Sequence, residues 1–324
     1  LEGSPWLLGD AFSAADIMMG FTLNAARAFG IIDERFAKLD AWLKTHQSPK
    51  SLSGVEATGP YSSKLLHHLH AAEHVACQLN PRRVKDYGRS QGRRIKTDRT
   101  DAALIASYLK ASEKITPWQP PTPAHSDLQG LIRRRQDLMK ALQAERNRLE
   151  GDSCKAVSAS LQRQIKHLEK EVRTVSKEID KLLLEHPEVQ KDESLLRSID
   201  GVGRMVAVTF LAEIPSIKVF DRARDLAAFV GLTPSLAESG TSVRRRGHMS
   251  REGSALLRKM LYMAALQAVK RKGNAFHKLY LSFVERGKAK MCALGAIMHK
   301  LIRVAFGVLK HRTPFAANLA KLPA

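Results

Sequence analysis

The chain has 324 residues, enough for two or three domains, and its 44% hydrophobic content is ample for real cores. Its formal charge of +21 makes a polyanion the simplest partner, and the excess is uneven: residues 1–50 carry five Lys/Arg against six Asp/Glu, residues 231–324 eighteen against three. Cys77, Cys154 and Cys292 stand far apart without a Cys-x-x-Cys pair, which argues against a disulfide framework or a cysteine zinc site. We read no apolar run approaching bilayer length and no signal peptide, so a reducing cytoplasmic setting without a membrane is expected. The opening Leu1, in place of a methionine, suggests a fragment or a processed product.

Residues 1–35 read as helical. Ser13 is the expected N-cap, Asp16 completes a capping box, and Phe12 faces Ile17 as a hydrophobic staple. The character changes between about Gly30 and Gln47. Leu39 to Leu43 is a short helix, and Leu52 to Val55 reads as a strand delivering Glu56 at its end, weakened by Gly54. A helix from Ser62 to Ala72, a strand from His74 to Leu79, a turn at Asn80-Pro81 and a basic helix from Arg82 follow, an alternation that implies an α/β sheet. His67, His68, His70 and His74 lack a partner cluster and read as solvated or facing nucleic acid. Next comes Lys96-Thr97-Asp98-Arg99-Thr100-Asp101-Ala102. On a helix, Asp98 and Asp101 share one face, and with Glu56 they offer the hard oxygen donors that Mg²⁺ takes when it activates water on a phosphodiester. Read alone, Asp-x-x-Asp at a helix start is also an ordinary N-cap.

Residues 126–190 are the clearest periodic segment. Leu161, Ile165, Leu168, Val172, Val175, Ile179 and Leu182 form a heptad seam; Leu128, Leu131, Leu138, Leu142 and Leu149 form a second one, interrupted by Arg135 and Glu145. Two long helices are expected, used either as an oligomer contact or as an intramolecular antiparallel pair.

Beyond Pro187, an apolar run, then Gly201-Val202-Gly203, then Ala207, Leu211 and Ile214 make a helix–hairpin–helix pattern. Gly201 and Gly203 would leave backbone N–H groups free to hold a phosphate; a plain tight turn between packed helices is the other reading. Ser239-Gly240 is expected in a loop before Arg244-Arg245-Arg246-Gly247-His248, and a long helix runs from about Gly253 to Lys272. A serine beside arginines has the parts of a phosphate-attacking nucleophile, with His248 or Arg251 to assist, and equally those of a nucleic-acid contact. Arg82, Arg83, Lys96, Arg244, Arg245 and Arg246 are the basic side chains expected on nucleic acid.

Two resemblances follow. Leu7-Leu8-Gly9-Asp10 through Arg27-Ala28-Phe29-Gly30 resembles the C-terminal helical domain of glutathione S-transferases, without the half that binds glutathione, and reads as a graft over residues 1–35. The second rests on Val55-Glu56-Ala57-Thr58-Gly59-Pro60-Tyr61, Asn80-Pro81-Arg82-Arg83-Val84, Lys96 to Ala102, Gly231-Leu232-Thr233-Pro234 and Ser239-Gly240. In this order they closely resemble the bacterial transposases of the insertion sequence one-hundred-and-ten family, from about Leu39 to Ala317. The resemblance implies a fold of the α/β plus mostly α class. A truncated resolvase-like domain of the ribonuclease H class would occupy residues 36–123, a coiled coil 124–190, and a helix–hairpin–helix and serine domain 191–324. It further implies an Asp-Glu-Asp-Asp metal site in which Glu56, Asp98 and Asp101 match the last three ligands, and a covalent link from Ser239 to DNA. DNA, a structured guide RNA and a homo-oligomer would be the partners, in a bacterial, nucleoid-associated setting. The first aspartate of the tetrad has no counterpart, because Asp33 precedes Glu56 by only 23 positions, too few for the strands and helix required. A transposase with an incomplete tetrad and a non-catalytic nucleic-acid-binding remnant are the two expectations.

Overall fold

The structure, a computed structural model, describes residues 52–57, 60–92, 97–112, 116–151, 154–214, 216–239, 243–250 and 252–316. The expectations for residues 1–50, including the transferase-like helices and Asp33, lie outside these, as does Lys96. The chain divides between Pro120 and Pro121 into two compact units.

The first unit is built on two parallel strands, β1 (Ser53–Glu56) and β2 (Ala76–Leu79), paired from Ser53 with Ala76 to Glu56 with Leu79. Parallel neighbours need a crossover, and α1 (Pro60–Ala71) supplies it, packing on both strands with Leu65, Leu66 and Leu69 buried. Beyond β2, Asn80 caps α2 (Pro81–Ser90) by accepting the Arg82 N–H at 2.9 Å, and Pro81 takes the first helical turn, where its missing N–H costs nothing. Helix α3 (Asp98–Ala111) packs on β1 and α2, closing a small core of Cys77, Leu79, Val84, Leu104 and Ile105. His74 is buried, against the expectation of a solvated histidine, while His67 and His70 set their rings edge-on to Trp118.

In the second unit α4 (Pro123–Gly151) and α5 (Lys155–Glu185) form an antiparallel hairpin. Leu138 and Leu142 meet Leu168 toward the tip, and Leu128 and Ile132 meet Ile179, Leu182 and Leu183 at the base. The two helices therefore pair within the chain. Arg135, which interrupts the first seam, is accommodated by donating to Ser176 Oγ at 3.2 Å.

The base of the hairpin shares its core with Val208 and Ala212 of α7 (Arg204–Glu213), so the long helices and the C-terminal helices are one body. Helix α6 (Pro187–Arg197), α7, α8 (Ala223–Val230), α9 (Ala255–Lys270), α10 (Ala275–Glu285) and α11 (Lys290–His311) surround the largest core, with Leu196, Ile199, Leu226, Leu257, Leu261 and Ile297 almost fully excluded from solvent. Helix α11 corrects the membrane expectation in one respect: by length and composition it could cross a bilayer. Within the unit 72% of its apolar window is buried, as expected of a core helix.

A hairpin of β3 (Pro234–Ser239) and β4 (Val243–Met249) stands between α8 and α9. It corrects the loop expected there, since Ser239 closes one strand and Arg244 to Arg246 belong to the other. Mostly helical, with a small parallel sheet in its first unit, the chain is α/β plus mostly α.

Candidate active site and nucleic-acid interface

Glu56 is the last residue of β1, held in register by the Ala57 N–H, which donates to the Leu79 carbonyl at 3.0 Å. Alternation puts Glu56 on the same strand face as Gly54. That face meets α3 closely: a Cβ on Gly54 would lie 2.8 Å from both Ile105 Cγ2 and Leu109 Cδ1. The glycine that weakens the strand by propensity is therefore what lets the helix approach the sheet. Asp101 lies one helical turn before Ile105, and Glu56 two strand positions after Gly54; both are half-buried.

Neither aspartate caps α3. Thr97 is the N-cap: it accepts the Thr100 N–H at 3.2 Å, and Thr100 Oγ1 accepts the Thr97 N–H at 2.9 Å. The reading of Asp-x-x-Asp as a plain cap thus gives way to a threonine capping box that leaves both aspartates within the first helical turns. The Asp98 side chain lies outside the described residues, and among the described residues no cluster of three or more metal-capable side chains forms. The donors available, a glutamate at a strand end and an aspartate at a helix start, are carboxylates of the kind hard divalent cations take. Arg82 and Arg83 are exposed on the first turn of α2, which begins beyond the end of β2.

In the second unit, α6 and α7 are joined by the turn from Ser198 to Gly203. Gly201 has φ +87°, and a Cβ there would lie 2.4 Å from the Ala264 carbonyl oxygen, so this glycine is required by the close passage of α9. Gly203 caps α7 without a side-chain partner and is exposed, with its carbonyl accepting from Val206 and Ala207. Beside the turn is a cleft of about 510 Å³ lined by Arg197, Asp200, Gly203, Gln267 and Arg271. Asp200, which would repel an anion, is paired with Arg271 at 3.0 Å.

The β3–β4 pairing sets Glu238 opposite Arg244 and Ser239 opposite Val243, so Ser239 is the last paired residue before the hairpin tip. The side chains of Ser239 and Arg244 to Arg246 lie outside the described residues. Residues 270–290, with seven Lys/Arg against one Glu, are not among the basic side chains expected on nucleic acid, and their signal in the sequence is that charge count.

Strand, crossover and carboxylate-bearing helix thus lie in one unit, and the glycine turn and the basic hairpin in the other. A family profile described as "Transposase IS116/IS110/IS902 family" matches residues 193–281, and a profile for the transposase domain with the Asp-Glu-Asp-Asp signature matches residues 10–151. The second match takes in residues 10–35, the stretch that also resembles the transferase helices. The pilin gene-inverting protein of Moraxella bovis is 31% identical over 282 residues, covering 86% of this chain and 87% of that protein, and that of Moraxella lacunata matches to the same extent. The transposase of insertion sequence element IS1111A from Coxiella burnetii is 26% identical over 73% of this chain and 72% of its own length. This chain belongs to the IS110 family of transposases. Membership implies DNA as its partner, and the Asp-Glu-Asp-Asp signature suggests a divalent metal.

Proposed function

We propose that this chain recombines DNA, transposing or inverting a segment, by serine attack on a DNA phosphate assisted by a Mg²⁺-binding carboxylate site. The observation that carries the carboxylate part is the contact of α3 with β1 at Gly54, Ile105 and Leu109, which supports the convergence of Asp101, and with it Asp98, on Glu56. Bound there, Mg²⁺ would neutralise charge on the phosphate oxygens. Glu56, Asp98 and Asp101 would hold it, and the threonine cap fixes the helix start on which two of them lie.

The Ser239 hydroxyl would replace one sugar oxygen on phosphorus, and the displaced oxygen would leave as an alcohol that takes up a proton. The number of phosphoester bonds is conserved, so the free hydroxyl of a partner strand can reverse the step without an external energy source. Arg244, Arg245 and Arg246, in the strand that follows Ser239, would stabilise charge building on the phosphate oxygens. Gly203 at the α7 start and Arg82, Arg83 and Lys96 would contact backbone phosphates, with the α6–α7 turn acting as a helix–hairpin–helix. The domain limits 36–123, 124–190 and 191–324, the ribonuclease H kinship of the first, a structured guide RNA, assembly through the long hairpin and a cytoplasmic, nucleoid-associated setting belong to the same reading. Relatives named as pilin gene-inverting proteins support inversion as one outcome of the chemistry.

A second reading is favoured by one observation, the 23 positions between Asp33 and Glu56. If residues 1–35 are a transferase-like graft, the first aspartate is lost and the chain binds DNA or RNA without cutting. One experiment separates the two: incubation with Mg²⁺, labelled element-end DNA and the RNA encoded beside the gene, followed by denaturing gel analysis. Recombination predicts a covalent protein–DNA adduct, lost in Ser239→Ala and reduced in Glu56→Gln. Salt-sensitive binding without an adduct would establish the remnant, and an adduct retained by Ser239→Ala would refute the serine step.

A further inference from the structure

Residues 270–290 carry seven Lys/Arg against Glu285 alone, a net of +6 within one short helix, the turns on either side of it and the helix ends that adjoin them. Lys270, Arg271 and Lys272 precede α10, and Arg286, Lys288 and Lys290 follow it, with Lys278 between; all seven are exposed. Among the described residues only Arg271 of the seven is ion-paired, to Asp200 at the rim of the cleft beside Gly203. At the far end, Phe283 holds two cations against its ring, the Arg286 guanidinium at 5.0 Å and the Lys288 ammonium at 5.2 Å from the centroid, and Arg286 Nε also donates to the Ser282 carbonyl at 3.1 Å. Such contacts hold long side chains in place before a ligand arrives, so less entropy is lost on binding. Phe276, fully buried, anchors α10 to the core.

A solvated face of mixed sign would need no explanation, but seven exposed cations with one anion repel one another unless a polyanion covers them. The 11 residues of α10 set the two basic turns about 16 Å apart, close to five 3.4 Å steps along a DNA strand. We propose that these two turns form a phosphate-binding face, continuous with the cleft at the α6–α7 turn, that grips the backbone of duplex DNA over about five nucleotides without reading its sequence. This rests on the recombinase reading and extends it to residues with no part in the chemistry.

The test is the salt dependence of binding by the full chain to a 30-base-pair duplex lacking element sequence, and to the RNA encoded beside the gene. Each lost phosphate contact lowers the slope of log K against log salt by about 0.9, so Arg286→Gln/Lys288→Gln/Lys290→Gln should lower it by about 2 to 3 on DNA and weaken binding roughly a hundredfold at 0.15 M salt. Lys166→Gln/Lys170→Gln/Lys177→Gln, equal in charge change but on the long hairpin, should leave the slope unchanged; all six positions are exposed, and far-UV circular dichroism should match the parent. An unchanged slope in the first variant, an equal loss in both, or a loss on RNA alone would overturn the DNA face. A parent chain that binds no nucleic acid would overturn the recombinase reading as well.

Discussion

Gly201→Ala separates what the glycine turn does for the fold from what it does for a ligand. An alanine at φ +87° costs about 1 to 2 kcal/mol of backbone strain. Its Cβ would also meet the Ala264 carbonyl oxygen at 2.4 Å and the Ala268 nitrogen at 2.7 Å. Both are backbone atoms of α9, so no side-chain rotation relieves the clash. The helix must retreat by at least roughly 0.6 Å to bring the first contact to 3.0 Å, and overpacking of that kind costs about 1 to 3 kcal/mol. Together the two give about 2 to 5 kcal/mol, or a fall of roughly 5 to 15 °C in the unfolding midpoint of a unit this size. Gly203→Ala is the contrast: a Cβ there meets nothing within 4 Å, its φ is −83°, and the exchange at an N-cap costs at most about 1 kcal/mol. Far-UV circular dichroism suits the measurement, because the second unit holds most of the helices and all three tryptophans, Trp6, Trp42 and Trp118, lie in the first. A Gly201→Ala protein within about 0.5 kcal/mol of the parent, or a Gly203→Ala protein that falls as far, would refute the packing argument.

Other outcomes follow from single sites. Cys154 is exposed at the start of α5, where the Val157 and Ala156 N–H groups lower its pKa, while burial pushes the Cys77 thiol up to about 11; iodoacetamide at pH 7.5 should label Cys154 well before Cys77, and the reverse order would refute the assignment. His299 is held below the usual imidazole pKa by burial and by Arg303 and Lys300, and His125 is lowered by burial. The unfolded chain then binds more protons, so stability is complete above about pH 6.5 and declines as pH falls through that value. The urea midpoint should drop between about pH 7.5 and 5.5, less steeply in His299→Gln. Thr97→Ala removes the side-chain half of the α3 cap and should destabilise the first unit by about 1 kcal/mol, read by Trp118 fluorescence.

What the sequence made legible was set by how local each signal is. Asn80-Pro81 marks the start of α2 and the leucine seam the two long helices, because capping, proline geometry and heptad spacing act within a few residues. Gly54 read as a weakness, since its use depends on Ile105 and Leu109, some fifty residues away. Ser239 read as loop for a similar reason: its strand exists through pairing with β4 across the tip. The odds between an oligomer and an internal pair could not be set from heptads, because the seam of α5 is equally apolar toward either partner; burial of Leu168 against Leu138 and Leu142 identifies the partner that is present. Asp98 and Asp101 were recognisable as a pair, but the threonine cap that frees them from capping was not, since the aspartates satisfied the same rule. In residues 270–290 the charge was plain, while the common exposure of all seven cations needed the fold.

Helix α11 comes late in the second unit, and it is also the element around which that unit closes. Leu196 and Ile199, at the end of α6 and in the turn beyond it, share a core with Ile297, Leu301 and Ile302, and the Phe315 N–H donates to Ser198 Oγ at 2.7 Å across 117 positions. Contacts of such sequence separation form late, so the apolar faces of α6 to α9 wait uncovered until synthesis has passed Lys290. A product terminated before that point retains most of the basic side chains yet lacks the helix that closes its interior. Its uncovered apolar interior makes it a substrate for chaperones and proteases.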